Sequence, residues 1–315
     1  MRREGAELVA FHASEDKLAT PFGERYPRAR RVDDPRRILE DDGIALIVSA
    51  AISCERAALG IAAMRHGKDF MVDKPGMTSL AQLAEVRKVQ TETKRIYSIC
   101  YSEHFTTRCT VRAGQLVTAG AIGRVINTTG LGPHRLDKAR RPRWFFSREQ
   151  TGGILTDIAS HQCEQFLFFT AAPDAEIVAA TVANHANPDT PELQDFGEML
   201  LRTRDATGYI RVDWFTPDGL GTWGDGRTFI LGTDGYIELR KYTDVAREPG
   251  GDHVYLVDKH GEQHIPVSGR VGYPFFGQLI LDCLEGTERA MTQEHAFRAA
   301  ELCLQAQEQA VRIEG

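Results

Sequence analysis

No CxxC pair occurs among the six cysteines of this 315-residue chain. Zinc modules and dithiol redox sites built on paired cysteines are therefore set aside, and no metal is expected. Cys54, Cys100, Cys109, Cys163, Cys283 and Cys303 are scattered, most among apolar neighbours, as reduced thiols of a cytoplasmic protein are. No apolar run approaches the roughly 20 residues of a membrane helix, and Met1 to Glu7 are charged where a secretory leader would be apolar. Basic residues are outnumbered, 38 Lys and Arg against 44 Asp and Glu. The net charge of −6 argues against nucleic acid or an anionic membrane as the main partner. Repeats and low-complexity linkers are missing too.

What is present suits a soluble globular protein, 42% hydrophobic and 26% charged. The length favours two domains. Residues 7–12 read as a strand, followed by a short helix that Pro21 should interrupt, and Asp34-Pro35 reads as a helix start. The apolar run 44–48 has the look of a strand buried on both faces. Helices are expected over 54–66 and 79–94, with strands at 69–72 and 96–101. This alternation predicts an α/β domain over residues 1–105, its parallel sheet wound with helices on both faces. Ligands of such a sheet lie beyond the carboxyl ends of the strands, where Ser49, Ala50, Asp73, Lys74 and Ser102 fall.

Over residues 106–315 the pattern changes. A helix is expected over 154–171, then strands over 175–186, 194–203, 207–215, 227–232, 235–242 and 252–258, separated by turn signals. These predict an α+β domain with an open, mainly antiparallel sheet covered by helices on one face. The other face, carrying Tyr209, Trp214 and Tyr236, is the expected interface of a homo-oligomer, a dimer or tetramer. The last helix is expected over 293–313.

The stretch Gly152 to Gln162 organises the rest. Asp157 and His161 are four apart, so both leave one helix face, where the acid can orient the ring and fix its tautomer. A satisfied core histidine fits that segment equally well. Lys74 breaks the tie, because Pro75 holds it at the rim of the sheet. There an ammonium can stabilise the alkoxide formed as a hydride leaves. The basic loop from His134 to Trp144 is either a solvated face or a substrate lining. In the second case His134, Arg143 or Trp144 meets the substrate, an arginine suiting an acidic group.

Asp73-Lys74-Pro75 and Gly152-Gly153-x-x-x-Asp157-x-x-x-His161 resemble the two signature motifs of the glucose-fructose oxidoreductase / inositol dehydrogenase (Gfo/Idh/MocA) family. Ala63 to Val72, Ala121 to Val125 and Gly232 to Gly235 resemble its supporting segments, in order along nearly the whole chain. The resemblance implies an incomplete Rossmann-type first domain that binds NAD or NADP. It also implies a small-molecule substrate, a sugar, polyol or related hydroxy compound, held between the domains. In this likeness Lys74, Asp157 and His161 are catalytic: His161 takes the hydroxyl proton, Asp157 orients it and Lys74 polarises the oxygen. The family's glutamate is Asp73 here, its threonine-proline is Ala50-Ala51, and its next histidine is Glu55. The acidic residue that would hold the ribose is Ala13, followed by Ser14, which weakens an NAD-only reading. The family's first strand and glycine-rich loop have no counterpart. Either the reading frame begins upstream, or the strands re-pair and dinucleotide binding is weak. Two other readings compete: a relative that lost its cofactor, and a metal-dependent lyase or isomerase using Asp157, His161 and Glu164.

Overall fold

Residues 5–246 and 250–313 are described in the structure, a computed structural model. The N-terminal part alternates strand and helix as the apolar runs require. β1 (Ala10–Phe11), α1 (Asp16–Arg25), β2 (Arg30–Arg31) and α2 (Arg36–Leu39) come first. β3 (Leu46–Ser49), α3 (Arg56–Arg65), β4 (Asp69–Asp73), α4 (Leu80–Thr93) and β5 (Tyr97–Cys100) follow. β1 pairs with β2, and β3, β4 and β5 form a separate parallel sheet. Ser79 caps α4 by accepting from the Gln82 amide at 3.2 Å.

Two local expectations fail here. Pro21 lies inside α1 rather than ending it, because the helix is short and exposed and water can satisfy the carbonyl that loses its donor. The run 44–48 is not buried on both faces. β3 pairs with β4 alone, and Val48 is 49% exposed.

After α5 (Ser102–Phe105) and α6 (Arg108–Thr118), β6 (Val125–Pro133) opens the second sheet. The short helices α7 (Arg148–Thr151) and α8 (Ile154–Asp157) lead into α9 (Ser160–Thr170). The strands that follow are β7 (Glu176–Ala183), β8 (Phe196–Arg202), β9 (Thr207–Asp213), β10 (Arg227–Gly232), β11 (Gly235–Arg240), β12 (His253–Asp258) and β13 (Gly261–Pro266). α10 (Pro274–Glu285), α11 (Gln293–Gln309) and β14 (Val311–Ile313) complete the chain. The sheet has nine strands in the order β13-β12-β11-β10-β6-β9-β8-β7-β14. All its pairings are antiparallel except β6 with β9 and β7 with β14.

β6 sits near the centre and packs against α9, where Gly130 and Gly132 permit a close approach. A Cβ on either would come within 2.8 Å of the Gln162 side chain. One apolar cluster runs without a break from Phe70, Tyr97 and Ile99 through Leu155, Ile158 and Phe166 to Phe297 and Leu304. α11 is the joint. Its Gln293 Oε1 accepts from the Tyr97 amide at 2.7 Å, and Tyr101 donates its hydroxyl to the Ala296 carbonyl at 2.8 Å.

Three expectations are corrected in this half. The helix over 154–171 is two, because the Ser160 hydroxyl takes the Asp157 carbonyl at 2.8 Å and the His161 amide turns to Ile158 O. The last helix stops at Gln309, where Ala310 turns extended and the β-branched Val311 and Ile313 join β7. Trp214 is not on the open face of the sheet. It lies past the end of β9, 8% exposed, edge-on to Phe145 and His134. The open face instead carries Tyr209 and Leu200 with Phe229 stacked on Tyr236 at 4.9 Å. Among the described residues no helix is long and apolar enough to cross a membrane.

Candidate active site

The loop after β4 is clamped from behind. Arg56, 6% exposed, donates to the carbonyls of Ala51, Asp73 and Pro75 at 2.7, 3.0 and 3.0 Å. A guanidinium spent on main-chain acceptors costs little to bury and fixes the backbone that carries Lys74. Lys74 Nζ then donates to Asp157 Oδ1 at 2.8 Å. Asp157 arrives from the other half of the molecule through Gly152 and Gly153, both at positive φ. At Gly153 a Cβ would fall 2.4 Å from Gln307 Oε1 and 2.7 Å from Gln194 Oε1. Those two oxygens cap α8, accepting from the Leu155 and Ile154 amides at 3.0 Å each. Glycine is needed there for both conformation and room.

Burial alone would raise the Asp157 carboxyl, but the Lys74 ammonium holds it below the usual range. His161 is pushed down to about 3, by burial first, with Lys74, His134 and Lys241 adding and Glu103 opposing. His134 is pushed down to about 4 by burial and by Lys74. Both imidazoles are therefore neutral at neutral pH. His161 Nδ1 is walled in with no hydrogen-bond partner, so Nε2 is the nitrogen available to a substrate.

Beneath His161 lies a second ion pair. Lys241 Nζ donates to Glu103 Oε2 at 2.6 Å and to Gln165 Oε1 at 2.9 Å, and Gln162 Nε2 donates to the same Glu103 oxygen at 3.0 Å. Burial would raise Glu103, but Lys241 and the nearby histidines hold it at about 2. One turn on, Glu164 accepts from His104 at 2.9 Å and His295 at 3.2 Å. Asp157 and Glu164 thus serve separate partners, and no group of three or more metal-ligating side chains stands among the described residues.

The other named residues are spread around this centre. Parallel pairing of Ser49 with Val72 sets Ala50 beside Asp73 at neighbouring strand ends. The Ser49 hydroxyl accepts from the Ala51 amide at 3.3 Å. Ser102 opens α5, directly before Glu103. Ala13 and Ser14 follow β1, which belongs to the two-stranded sheet and not to the sheet whose strand β4 leads into Lys74. His134 lies edge-on to Trp223 at 4.3 Å. Trp144 is half-buried against Phe145, while Arg143 is exposed.

Arg141 is the arginine of that loop held towards the centre. It lies over the Phe145 and Trp214 rings at 4.3 and 5.2 Å, donates to Leu136 O, and is felt electrostatically by Asp157. Glu103, Lys241, Arg56 and Arg141 escaped the sequence reading. A glutamate just past the strand end at Cys100, between Tyr101 and Phe105, was the available signal.

A parallel-sheet unit joined through a shared core to a wide antiparallel sheet, with a lysine, an aspartate and a neutral histidine gathered at the strand ends, is the architecture of a two-unit dehydrogenase fold. A family model described as the GFO/IDH/MocA C-terminal domain matches residues 110–238. A solved structure of a candidate oxidoreductase from Erwinia carotovora atroseptica SCRI1043 is 44% identical, covering 99% of this chain and 94% of that one, with a TM-score of 0.96. The chain belongs to the Gfo/Idh/MocA family. It is 26% identical over 212 residues to scyllo-inositol 2-dehydrogenase (NAD(+)) of Bacillus subtilis (strain 168), covering 65% of this chain and 58% of that one. Levoglucosan dehydrogenase in complex with NADH shares the fold at 17% identity, TM-score 0.77, covering 96% and 88%. The chain spans about half the length of the curated relatives it matches.

Proposed function

We propose that the protein is an NAD(P)-dependent oxidoreductase that moves a hydride between nicotinamide and a secondary alcohol of a sugar, polyol or related hydroxy compound. The observation that carries this reading is the Lys74–Asp157 pair at the strand ends with neutral His161 beside it. Its support from relatives is the dehydrogenases named for inositol and for levoglucosan, one of them held with NADH.

The donor set suits the reactive end of a dinucleotide. Ser49 and Ala50 offer a small-residue shelf at the end of β3, with Asp73, Lys74 and Ser102 at the ends of its neighbours. Among the described residues no glycine-rich turn leads from these strands into a helix, so a diphosphate cradle is not among the features that fit. Ala13 and Ser14 would meet the ribose. When bound, the oxidised nicotinamide supplies the acceptor for the hydride that leaves the carbinol carbon.

Lys74 spends one of its three donors on Asp157, which leaves two for the substrate oxygen. Asp157 keeps that lysine aimed. As the hydride departs, His161 Nε2 takes the hydroxyl proton while Lys74 stabilises the oxygen losing it. His134, Trp144 and Arg143 are proposed to border the substrate, with Arg141 nearer the centre. A boundary near residue 105 would separate cofactor and substrate units. The open sheet face with Leu200, Tyr209, Phe229 and Tyr236 is proposed to pair with a second copy of the chain.

The test follows nicotinamide absorbance with NAD and NADP over a panel of cyclic polyols, sugars and hydroxy acids. On any accepted alcohol, His161→Ala and Lys74→Ala should each lower turnover by about a hundredfold or more with little change in KM. Unchanged turnover in both would end the reading.

A further inference from the structure

Proton uptake by His161 creates an imidazolium in a place sealed from water. Asp157, four residues upstream, is already held by Lys74 at 2.8 Å. The charged and titratable groups that act most strongly on His161 are Lys74 after β4, His134 after β6, Lys241 after β11 and Glu103 on α5. Of these four, Glu103 alone carries negative charge.

The geometry around Glu103 suits that task. Its side chain is 1% exposed, and its Oε2 accepts from Lys241 at 2.6 Å and from Gln162 at 3.0 Å. Its Oε1 is buried with no partner, and so is His161 Nδ1. Gln162 directly follows His161 and is pressed against Gly130 and Gly132, so the carboxylate is anchored to the same turn of α9 as the ring. A bare acceptor and a bare ring nitrogen, both buried and on side chains tied to one turn of α9, are costly in a resting protein. The cost is recovered when the ring gains a proton.

We propose that Glu103 is the positioning residue of His161: its carboxylate, rather than that of Asp157, balances the imidazolium formed when His161 takes up a proton, and Lys241 limits how strongly it does so. This rests on His161 as the proton acceptor of the proposed reaction. Without Lys241 the Glu103–His161 pair should bind a proton well above the pH at which the native ring does. Without the Glu103 charge, the ring should become a still weaker base.

The experiment reads the ring nitrogens of His161 by long-range 1H–15N NMR in the free, folded chain, assigned by difference from His161→Asn. In Lys241→Met the imidazolium signature should be present at pH 5, absent in the native chain, and lost again in Glu103→Gln/Lys241→Met. Lys241→Gln, which keeps a polar tip, is the second variant should the methionine not fold. His161 neutral in the folded Lys241 variants, or equally charged in the double variant, overturns the proposal. A kinetic arm keeps it exposed even if both Lys241 variants unfold. Glu103→Gln should lower kcat at least tenfold with little change in KM and displace the acid limb to lower pH. An unmoved acid limb overturns the proposal as well. Absence of any activity in the native chain would instead sink the oxidoreductase reading and leave the NMR outcome standing.

Discussion

Lys74–Asp157 and Glu103–Lys241 are both ammonium–carboxylate pairs, 2.8 and 2.6 Å long, and both lie within electrostatic reach of the two histidines. Their surroundings differ. The first keeps 15% and 19% of its side-chain surfaces open and leaves two lysine donors unspent. The second is at 0% and 1%, with Gln165 accepting from Lys241 and Gln162 donating to Glu103 Oε2, while Glu103 Oε1 has no partner. An open pair can trade a partner for a substrate oxygen during a reaction. A sealed pair can only set the field that the open one works in, because moving either charge would strand the other without water.

That contrast can be broken most sharply at the sealed pair. Glu103→Met alone should cost about 3–5 kcal/mol of stability by leaving Lys241 charged and unpaired. Glu103→Met/Lys241→Met should recover most of it, as chemical denaturation of the three chains would record. At the open pair the larger effect falls on rate. Asp157→Asn should fold, yet lower turnover by about a hundredfold, roughly 3 kcal/mol, since the lysine loses the charge that aims it. Gly153→Ala tests the link that brings Asp157 to Lys74. A Cβ between Gln307 and Gln194 at positive φ should cost about 2–3 kcal/mol and lower Tm.

The pH response is the next largest effect. His161 and His134 titrate at about 3 and about 4 in the folded chain, below the ordinary histidine value of 6.5. The unfolded chain therefore binds more protons, and stability conferred by the neutral rings is complete above pH 6.5 and drains away as pH falls towards 4. Tm should decline through that window, and His161→Gln should flatten the decline. Arg143→Ala, on an exposed side chain, should shift stability by no more than about 0.5 kcal/mol. A tenfold rise in KM would instead place Arg143 on the substrate.

The sequence revealed the open pair because its parts are locally marked. Lys74 sits between an aspartate and a proline at a strand end, and Asp157 follows two glycines at a fixed spacing. Glu103 and Lys241 are 138 residues apart, and neither belongs to a pattern that a chain-local reading can see. Helix and strand order was legible for the same reason, since periodicity is a short-range signal. The break in the helix between Asp157 and Ser160 was not, because a serine hydroxyl competing for a carbonyl leaves periodicity intact. Trp214 was grouped with Tyr209 on the open face, yet the two are five apart, and an odd spacing along a strand puts side chains on opposite faces, so Trp214 falls with buried Ile210 and Val212.

The joint made by α11 bears on how the molecule comes into being on the ribosome. Gln293 holds the Tyr97 amide across 196 residues, and Gln307 caps the helix that carries Asp157 across 152. Both glutamines leave the exit tunnel after nearly everything they bind. The parallel sheet and the turn bearing Asp157 must wait, partly formed, until α11 has been made, and contacts closed over such distances form slowly. Nascent chains halted before residue 293 should accordingly remain sensitive to protease at α8, and gain protection only once α11 has emerged.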